Sequence, residues 1–249
     1  MILRQLLHSD PVVAASYFVA CGGRQAAIVI DPVDDPPTYL DLAAETHTRI
    51  QYVIDTHVHA DHVSTGYALA MAAGARYVLH ADVDARLAFH GVRDGDRLEI
   101  GNVLVDVWHV PGHTPEHIAL VVTDRTRAAE PWLVFTGHTL MVGDMGRTEL
   151  AASAEQGARS LFDSAKRLRA LPDHVQVMPG AFAGSVCGRA LSATPFSTIG
   201  FERRFNRAFA ITERAAFIDY MLRDIPPRPP QAAETRRANL GREPIASLP

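Results

Sequence analysis

The sequence predicts a layered α/β or α+β fold in a single domain. Short apolar, strand-like runs alternate with helical segments along the chain. No linker-like shift in composition occurs before residue 226. The 249 residues are 47% hydrophobic and 21% charged, with mean hydropathy +0.01. That is the balance of an ordinary globular protein, and it excludes a disordered, collagen-like or disulfide-scaffold chain.

The elements follow in order. Ala26–Ile30 (AAIVI) is an apolar run closed by the turn pair Asp31-Pro32, which predicts a buried strand. Tyr39, Leu42, Ala43, Thr46 and Ile50 recur at helical spacing, so a helix is predicted over 36–48, with Pro36-Pro37 at its start. Tyr52-Val53-Ile54 reads as a second strand running into Asp55-Thr56-His57. Ser64 is a candidate cap for a small-residue helix over 65–73 that stops at Gly74. Further strands are predicted at 76–80, 103–110 (alternating, hence half-buried), 118–122 and 132–135. Leu161, Ala165, Leu168 and Leu171 mark a helix over 155–170 that ends before Pro172. A short strand at 175–178 and two helices, at 201–210 and 212–223, complete a domain of residues 1–225. From Pro226 the chain turns Pro-rich and then polar, so 226–249 reads as an extended tail with one helical turn.

Formal net charge is −4 and the isoelectric point about 6.3, so no general attraction to nucleic acid or anionic lipid is expected. No apolar run reaches the roughly 18–20 residues that span a bilayer. The N-terminus lacks the basic start and long apolar core of a secretory signal. Two cysteines, Cys21 and Cys187, fit a reducing, cytoplasmic setting. The sequence leaves oligomeric state open, a homodimer among the options.

The 12 histidines carry the functional signal. His57, His59, Asp61 and His62 lie in Thr-His-Val-His-Ala-Asp-His, directly after a predicted strand. A strand end is a rigid base from which a loop can fold several donors around one point. Imidazole suits borderline metals such as zinc and iron(II). His113 follows a later strand in Pro-Gly-His-Thr-Pro-Glu-His, and His138 follows another in Thr-Gly-His. In both, a glycine precedes the histidine and lets the backbone turn tightly. Singly each pair is weak; together they describe one site assembled from successive strand ends.

On these residues the chain resembles the metallo-β-lactamase superfamily, whose loop motif is H-x-H-x-D-H. It is most similar to the branch of persulfide (sulfur) dioxygenases and hydroxyacylglutathione hydrolases (glyoxalase II). Thr114-Pro-Glu-His117, Val142-Gly-Asp-Met-Gly-Arg-Thr-Glu-Leu150, Pro179-Gly-Ala-Phe-Ala-Gly-Ser-Val-Cys-Gly188 and Ser197-Thr-Ile-Gly-Phe-Glu-Arg-Arg-Phe205 are similar to segments of that branch. The resemblance implies an αββα sandwich, with two sheets face to face and helices outside. It also implies a metal held by His57, His59, His113 and the position of His138. Two departures stand out. Where the family carries a bridging or ligating Asp, this chain has His138, and where it carries a later His ligand, this chain has Ala181. The second metal position keeps only Asp61 and His62, and two protein ligands hold a divalent ion poorly.

One divalent metal per chain is therefore expected, with Fe(II) favoured and Zn(II) the alternative. The iron ligands of the dioxygenases map to His57, His113 and the His138 position. That implies a persulfide dioxygenase acting on a small thiol or persulfide, such as a glutathione-based one. The alternatives are a mononuclear zinc hydrolase of thioester-type bonds and a metal-binding protein with weak catalysis. Asp61 and His62 are the candidate catalytic pair, although Asp61 also suits orienting a ligand. Asp55 is a candidate brace for the loop. Arg147 is a structural tie for its loop or a candidate substrate contact in the pocket wall, while Arg203, with Arg204, is a candidate contact for a glutathione carboxylate, a solvated basic helix face being the plainer alternative. Cys187 reads as a small buried residue or a transient sulfur carrier. His80, His90, His109 and His174 lack ligand spacing.

Overall fold

Two six-stranded sheets pack against each other in the computed structural model, which describes residues 1–242 other than 151, 226 and 228. The first sheet runs β1 (Ile2–His8), β2 (Ala14–Cys21), β3 (Ala26–Ile30), β4 (Arg49–Ile54), β5 (Arg76–His80) and β6 (His90–Val92), in that spatial order. β1 to β3 pair antiparallel, and β3 to β6 pair parallel. Helices α1 (Pro36–Glu45) and α2 (Gly66–Ala73) supply the first two parallel crossovers. The second sheet is built from β7 (Arg97–Ile100), β8 (Val103–His109), β9 (Ile118–Asp124) and β10 (Leu133–Gly137). After a small hairpin of β11 (Leu140–Met141) and β12 (Asp144–Met145) and the long helix α3 (Ala154–Arg169), β13 (Gln176–Pro179) and β14 (Ser197–Thr198) extend it to the order β14-β13-β10-β9-β8-β7. Helices α4 (Ile199–Phe205), α5 (Arg214–Leu222) and α6 (Ala232–Asn239) follow.

The period-2 alternation of each strand sorts its side chains into layers. Tyr17, Val19, Ile28 and Ile30 of the first sheet meet Val103, Val105, Leu120, Val122 and Phe135 of the second, which makes the inter-sheet core. The opposite residues, Phe18, Ala27, Val29 and Val53, face Tyr39, Leu69 and Ala70 of α1 and α2. On the other side Ala119, Val121, Val134 and Val177 face Leu161, Ala165 and Leu168 of α3 and Phe217 of α5. The result is the αββα order expected from the resemblance.

Several elements depart from expectation, each for a local reason. β1 and β2 were not anticipated: β2 is buried along its full length and rich in Ala, Ser and Cys, so it shows no alternation. α1 ends at Glu45, because the Thr46 hydroxyl donates to the Leu42 carbonyl and His47 takes a left-handed φ of 53°. The Ser64 cap is displaced by one residue: its hydroxyl accepts from the Gly66 amide, while Thr65 sits at the cap position. The helix expected over 201–210 ends at Phe205. There the Asn206 side chain donates to the Met141 and Asp144 carbonyls and accepts from the Phe209 amide, in place of a continuing helical turn.

The largest departure is the tail. Instead of one turn in an extended segment, residues 232–239 form a two-turn helix docked on the first sheet's loops. Ala232, Thr235, Ala238 and Asn239 are its buried face. The short, polar sequence of that face hides the burial, since two of its four contacts are polar. Residues 243–249 of the expected tail lie outside the described residues.

Candidate metal centre

The loops that leave β4, β8, β10 and β13 open at the carboxyl ends of these strands, the usual place for a site in an α/β sheet. The β4 loop carries His57, His59, Asp61 and His62; the β8–β9 loop carries His113 and His117; His138 directly follows β10. The sheets are joined beneath them, because the Ile118 amide donates to the Thr56 carbonyl at 2.8 Å. Gly137 has φ +48°, and a Cβ there would come within 2.5 Å of Thr56 Oγ1 and 2.6 Å of His117. Glycine is therefore required for His138 to turn in over the cluster.

The predicted histidines converge. The His57 ring lies 4.2 Å from His59, 5.0 Å from His113 and 4.8 Å from His138, centroid to centroid. All four are 1–2% exposed. Hydrogen bonds set which nitrogen of each faces inward. The Thr56 hydroxyl donates to Asp31 Oδ2, so it accepts from His57 Nδ1 at 3.0 Å and leaves Nε2 as the bare nitrogen. His113 Nδ1 donates to the Arg147 carbonyl at 2.8 Å, turning Nε2 inward to 3.4 Å from His138 Nδ1. His59 Nε2 donates to Asp31 Oδ1 at 3.3 Å, leaving its Nδ1 for the cluster.

His57 Nε2, His59 Nδ1, Asp61 Oδ2 and His62 Nε2 are buried with no hydrogen-bond partner among the described residues. Orphaned buried polar atoms are costly and call for a reason; four on neighbouring side chains fit a bound cation. One donor each from His57, His113 and His138 lies within 4.8 Å of the others, and His59, Asp61 and His62 form a second such group. His59, expected beside His57, thus groups instead with the acidic side of the loop.

The electrostatics suit metal binding at neutral pH. Burial, reinforced by the neighbouring imidazoles, holds His57 and His117 well below the usual histidine range. Burial and His138 lower His113 to about 3, and burial lowers His138 as well. These imidazoles are neutral, the form that ligates. His59 is the exception. Burial opposes its charged form, but its hydrogen bond to Asp31 and the charges of Asp31, Asp55 and Asp61 raise it to about 9. Asp61 is held well below the carboxylate range: burial acts against this, and the charge and hydrogen bond of His62 outweigh it. Burial raises Asp55, whose Oδ2 accepts from the Tyr77 hydroxyl at 2.6 Å. Asp55 therefore braces the loop base.

Two arginines singled out as substrate contacts are engaged by partners within the protein. Arg147 is buried, pairs with Glu149 and donates to the Val186 and Pro227 carbonyls, so it ties loops together while its own carbonyl sets His113. Arg203 pairs with Asp173 and donates to the Arg169 and Leu171 carbonyls, which closes the end of α3 rather than the histidine cluster. Both guanidiniums are taken by local carbonyl and carboxylate partners that sequence spacing does not reveal. Arg204 is exposed. His80 and His109 stack on each other at 4.3 Å.

His117 belongs to the cluster and was not singled out. It stacks on His57 at 4.6 Å, and its Nε2 accepts from the His138 amide at 3.0 Å. Its spacing of four from His113 was the available signal. α6 was also missed as part of the site. Asn239 donates to the His59 and His62 carbonyls at 2.9 Å each, and Arg236 donates to the Val58 carbonyl and pairs with Glu116. Glu116 in turn accepts from the Val58 amide at 3.1 Å.

A four-layer αββα fold with a buried histidine and aspartate cluster at its strand ends defines a scaffold able to hold a metal ion. Residues 9–180 match the metallo-beta-lactamase superfamily, and the chain belongs to it. The human mitochondrial persulfide dioxygenase ETHE1 is 30% identical over 185 residues, covering 72% of this chain and 67% of that protein. A hydroxyacylglutathione hydrolase of Pseudomonas aeruginosa is 32% identical over 187 residues, covering 75% and 68%. Among solved structures, a metallo-beta-lactamase from Staphylococcus aureus superposes with TM-score 0.91 at 33% identity, over 98% of this chain and 73% of its own. ETHE1 from Myxococcus xanthus superposes with TM-score 0.82 at 30% identity, over 98% and 100%. Relatives at about the same identity thus include both an oxygenase and a hydrolase.

Proposed function

We propose that this protein is a mononuclear iron persulfide dioxygenase acting on a small persulfide such as glutathione persulfide. The observation that carries this reading is the trio His57, His113 and His138, three buried, neutral imidazoles with one donor each within 4.8 Å of the others. Ala181, buried and without a donor, adds no ligand for a second ion, and in the second group His59, raised to about 9, is held as the cation and leaves only Asp61 and His62, so one metal per chain is expected. His57, His113 and His138 would hold a single iron(II), which would supply the dioxygen chemistry of three-ligand non-haem iron sites.

The protein's own groups do the rest. Thr56 and the Arg147 carbonyl hold His57 and His113 in the tautomers that face inward. The enclosed histidine cluster would hold substrate sulfur and oxygen side by side, so that proximity lowers the barrier. Asp61 and His62, joined by the 3.1 Å hydrogen bond from His62 Nδ1, would relay a proton. The persulfide dioxygenases among the relatives support this reading. A zinc hydrolase of glutathione thioesters is the second reading, favoured by the hydroxyacylglutathione hydrolases among them.

Metal analysis of anaerobically purified protein, followed by oxygen uptake with glutathione persulfide, tests the choice. Iron-dependent uptake is expected. His138→Ala should lose iron and activity together, and His138→Asp should keep or raise uptake by rebuilding the two-histidine, one-carboxylate triad. No uptake by the iron-loaded protein, together with thioester cleavage by the zinc form, would establish the hydrolase instead.

A further inference from the structure

Cys187 comes to lie beside Asp61 and His138, with one donor atom of each within 4.8 Å of the others. The three arrive from different segments: the β4 loop, the residue after β10 and the loop beyond β13. Cys187 and His138 are 1% exposed, and so is the Asp61 side chain. Asp61 Oδ1 accepts from His62, whereas its Oδ2 is buried with no hydrogen-bond partner among the described residues. The thiol is held in place by its backbone. The Arg147 amide donates to the Cys187 carbonyl at 3.2 Å, and the Cys187 amide donates to Ser185 Oγ at 3.2 Å. Arg147 thereby anchors both Cys187 and, through its own carbonyl, His113.

The donor set has a definite chemistry. A thiolate and a carboxylate carry two negative charges, which balance a dication, and a thiolate with an imidazole selects thiophilic over hard ions. Nitrogen and sulfur donors sit about 2.0–2.3 Å from such an ion, so two of them on one tetrahedral ion are separated by about 3.5 Å. The observed spacing needs only a small inward adjustment. We propose that Asp61, His138 and Cys187 form a second cation position, for a thiophilic divalent ion such as Zn(II) or Cd(II). It is filled in competition with the His57, His113 and His138 position because both draw on His138. Coordination displaces the Cys187 thiol proton, which leaves to solvent as the sulfur–metal bond forms. The position stands independently of the dioxygenase reading, since it rests on Asp61 and Cys187 as well as the shared histidine.

The test is a titration of the metal-free, full-length protein with Cd(II), read by thiolate-to-cadmium absorption in the ultraviolet and by proton release in weak buffer. The expected result is a band that saturates at one ion per chain with one proton released. Cys187→Ser should lose the band. Protein first loaded anaerobically with one equivalent of Fe(II) should show the band only as iron is expelled. A wild-type protein without the band, a band that persists in Cys187→Ser, or a full band beside fully retained iron would overturn the proposal. Should Cys187→Ser fail to fold, cadmium NMR of the unmutated protein decides: a shift typical of one sulfur with nitrogen and oxygen ligands is expected, and an all-oxygen and nitrogen shift would refute it. Neither oxygen nor persulfide enters these measurements, so their outcome is separate from that of the oxygen-uptake assay.

Discussion

Thr56 shows how one small side chain prepares the centre. It is buried, its amide and hydroxyl both donate to Asp31, and its oxygen accepts from His57 Nδ1. The hydroxyl thereby chooses the His57 tautomer and, through Asp31, steadies His59, which donates to the same carboxylate. Partners of this kind outside the ligand set typically change metal affinity by about 10–100-fold when removed. Thr56→Val keeps the volume and deletes the hydroxyl. It should weaken metal binding within that range and lower stability by about 1–3 kcal/mol, the usual cost of a buried group left unpaired. Competition with a chromogenic chelator and urea unfolding measure the two effects. An affinity equal to wild type would show that His57 keeps its orientation without Thr56.

Helix α6 acts on the site as a clamp. Asn239 donates to the carbonyls of His59 and His62 and accepts from the Ser64 amide at 2.9 Å, so a single side chain satisfies three backbone groups of the metal loop. The helix itself is short, and isolated helices of this length are marginal in water; its order comes from docking on the loop. Asn239→Ala should lower stability by roughly 1–3 kcal/mol and loosen the loop that carries His57 to His62. Glu234→Ala, on the exposed side of the same helix, should stay within about 0.5 kcal/mol. Hydrogen exchange of the loop amides distinguishes the two: faster exchange is expected for Asn239→Ala alone, and equal exchange in both variants would remove α6 from any role in holding the loop.

The cluster also sets how the folded chain responds to pH. His113 falls from 6.5 to about 3, and His57, His117 and His138 are lowered in the same direction, by burial first. In the unfolded chain these imidazoles take up protons near pH 6.5 that the folded chain refuses. The unfolded state therefore binds more protons below that pH, and stability falls as pH drops from about 6.5 towards 3. The lowered Asp31 and Asp61 act with the same sign at the acid end. His59 works in the opposite sense. Raised to about 9, it contributes stability that is full below its ordinary 6.5 and is lost as pH rises through 9. Urea midpoints of the metal-free protein should thus peak between these limits and fall on both sides. A midpoint unchanged between pH 7 and pH 4 would contradict the burial-driven lowering of the imidazoles.

The sequence by itself determined where the candidate metal donors lie. The H-x-H-x-D-H cluster and the two Gly-His pairs are local: each is a strand end followed by a turn, and the turn requirement is written in Gly112 and Gly137, at φ +147° and +48°. The layered fold was legible for the same reason, since alternation and helical spacing are properties of short segments. The tertiary structure alone decided how those donors are shared. Only the packing of sheet on sheet puts His113 and His138 with His57, sends His59 to the side of Asp61 and His62, and brings Cys187 to Asp61. It also decided that Arg147 and Arg203 spend their charge on Glu149 and Asp173, and that residues 232–239 become a helix seated on the metal loop. These are contacts between segments far apart in the chain. They depend on distances that no local pattern encodes, because burial and pairing arise when the separate layers close on one another.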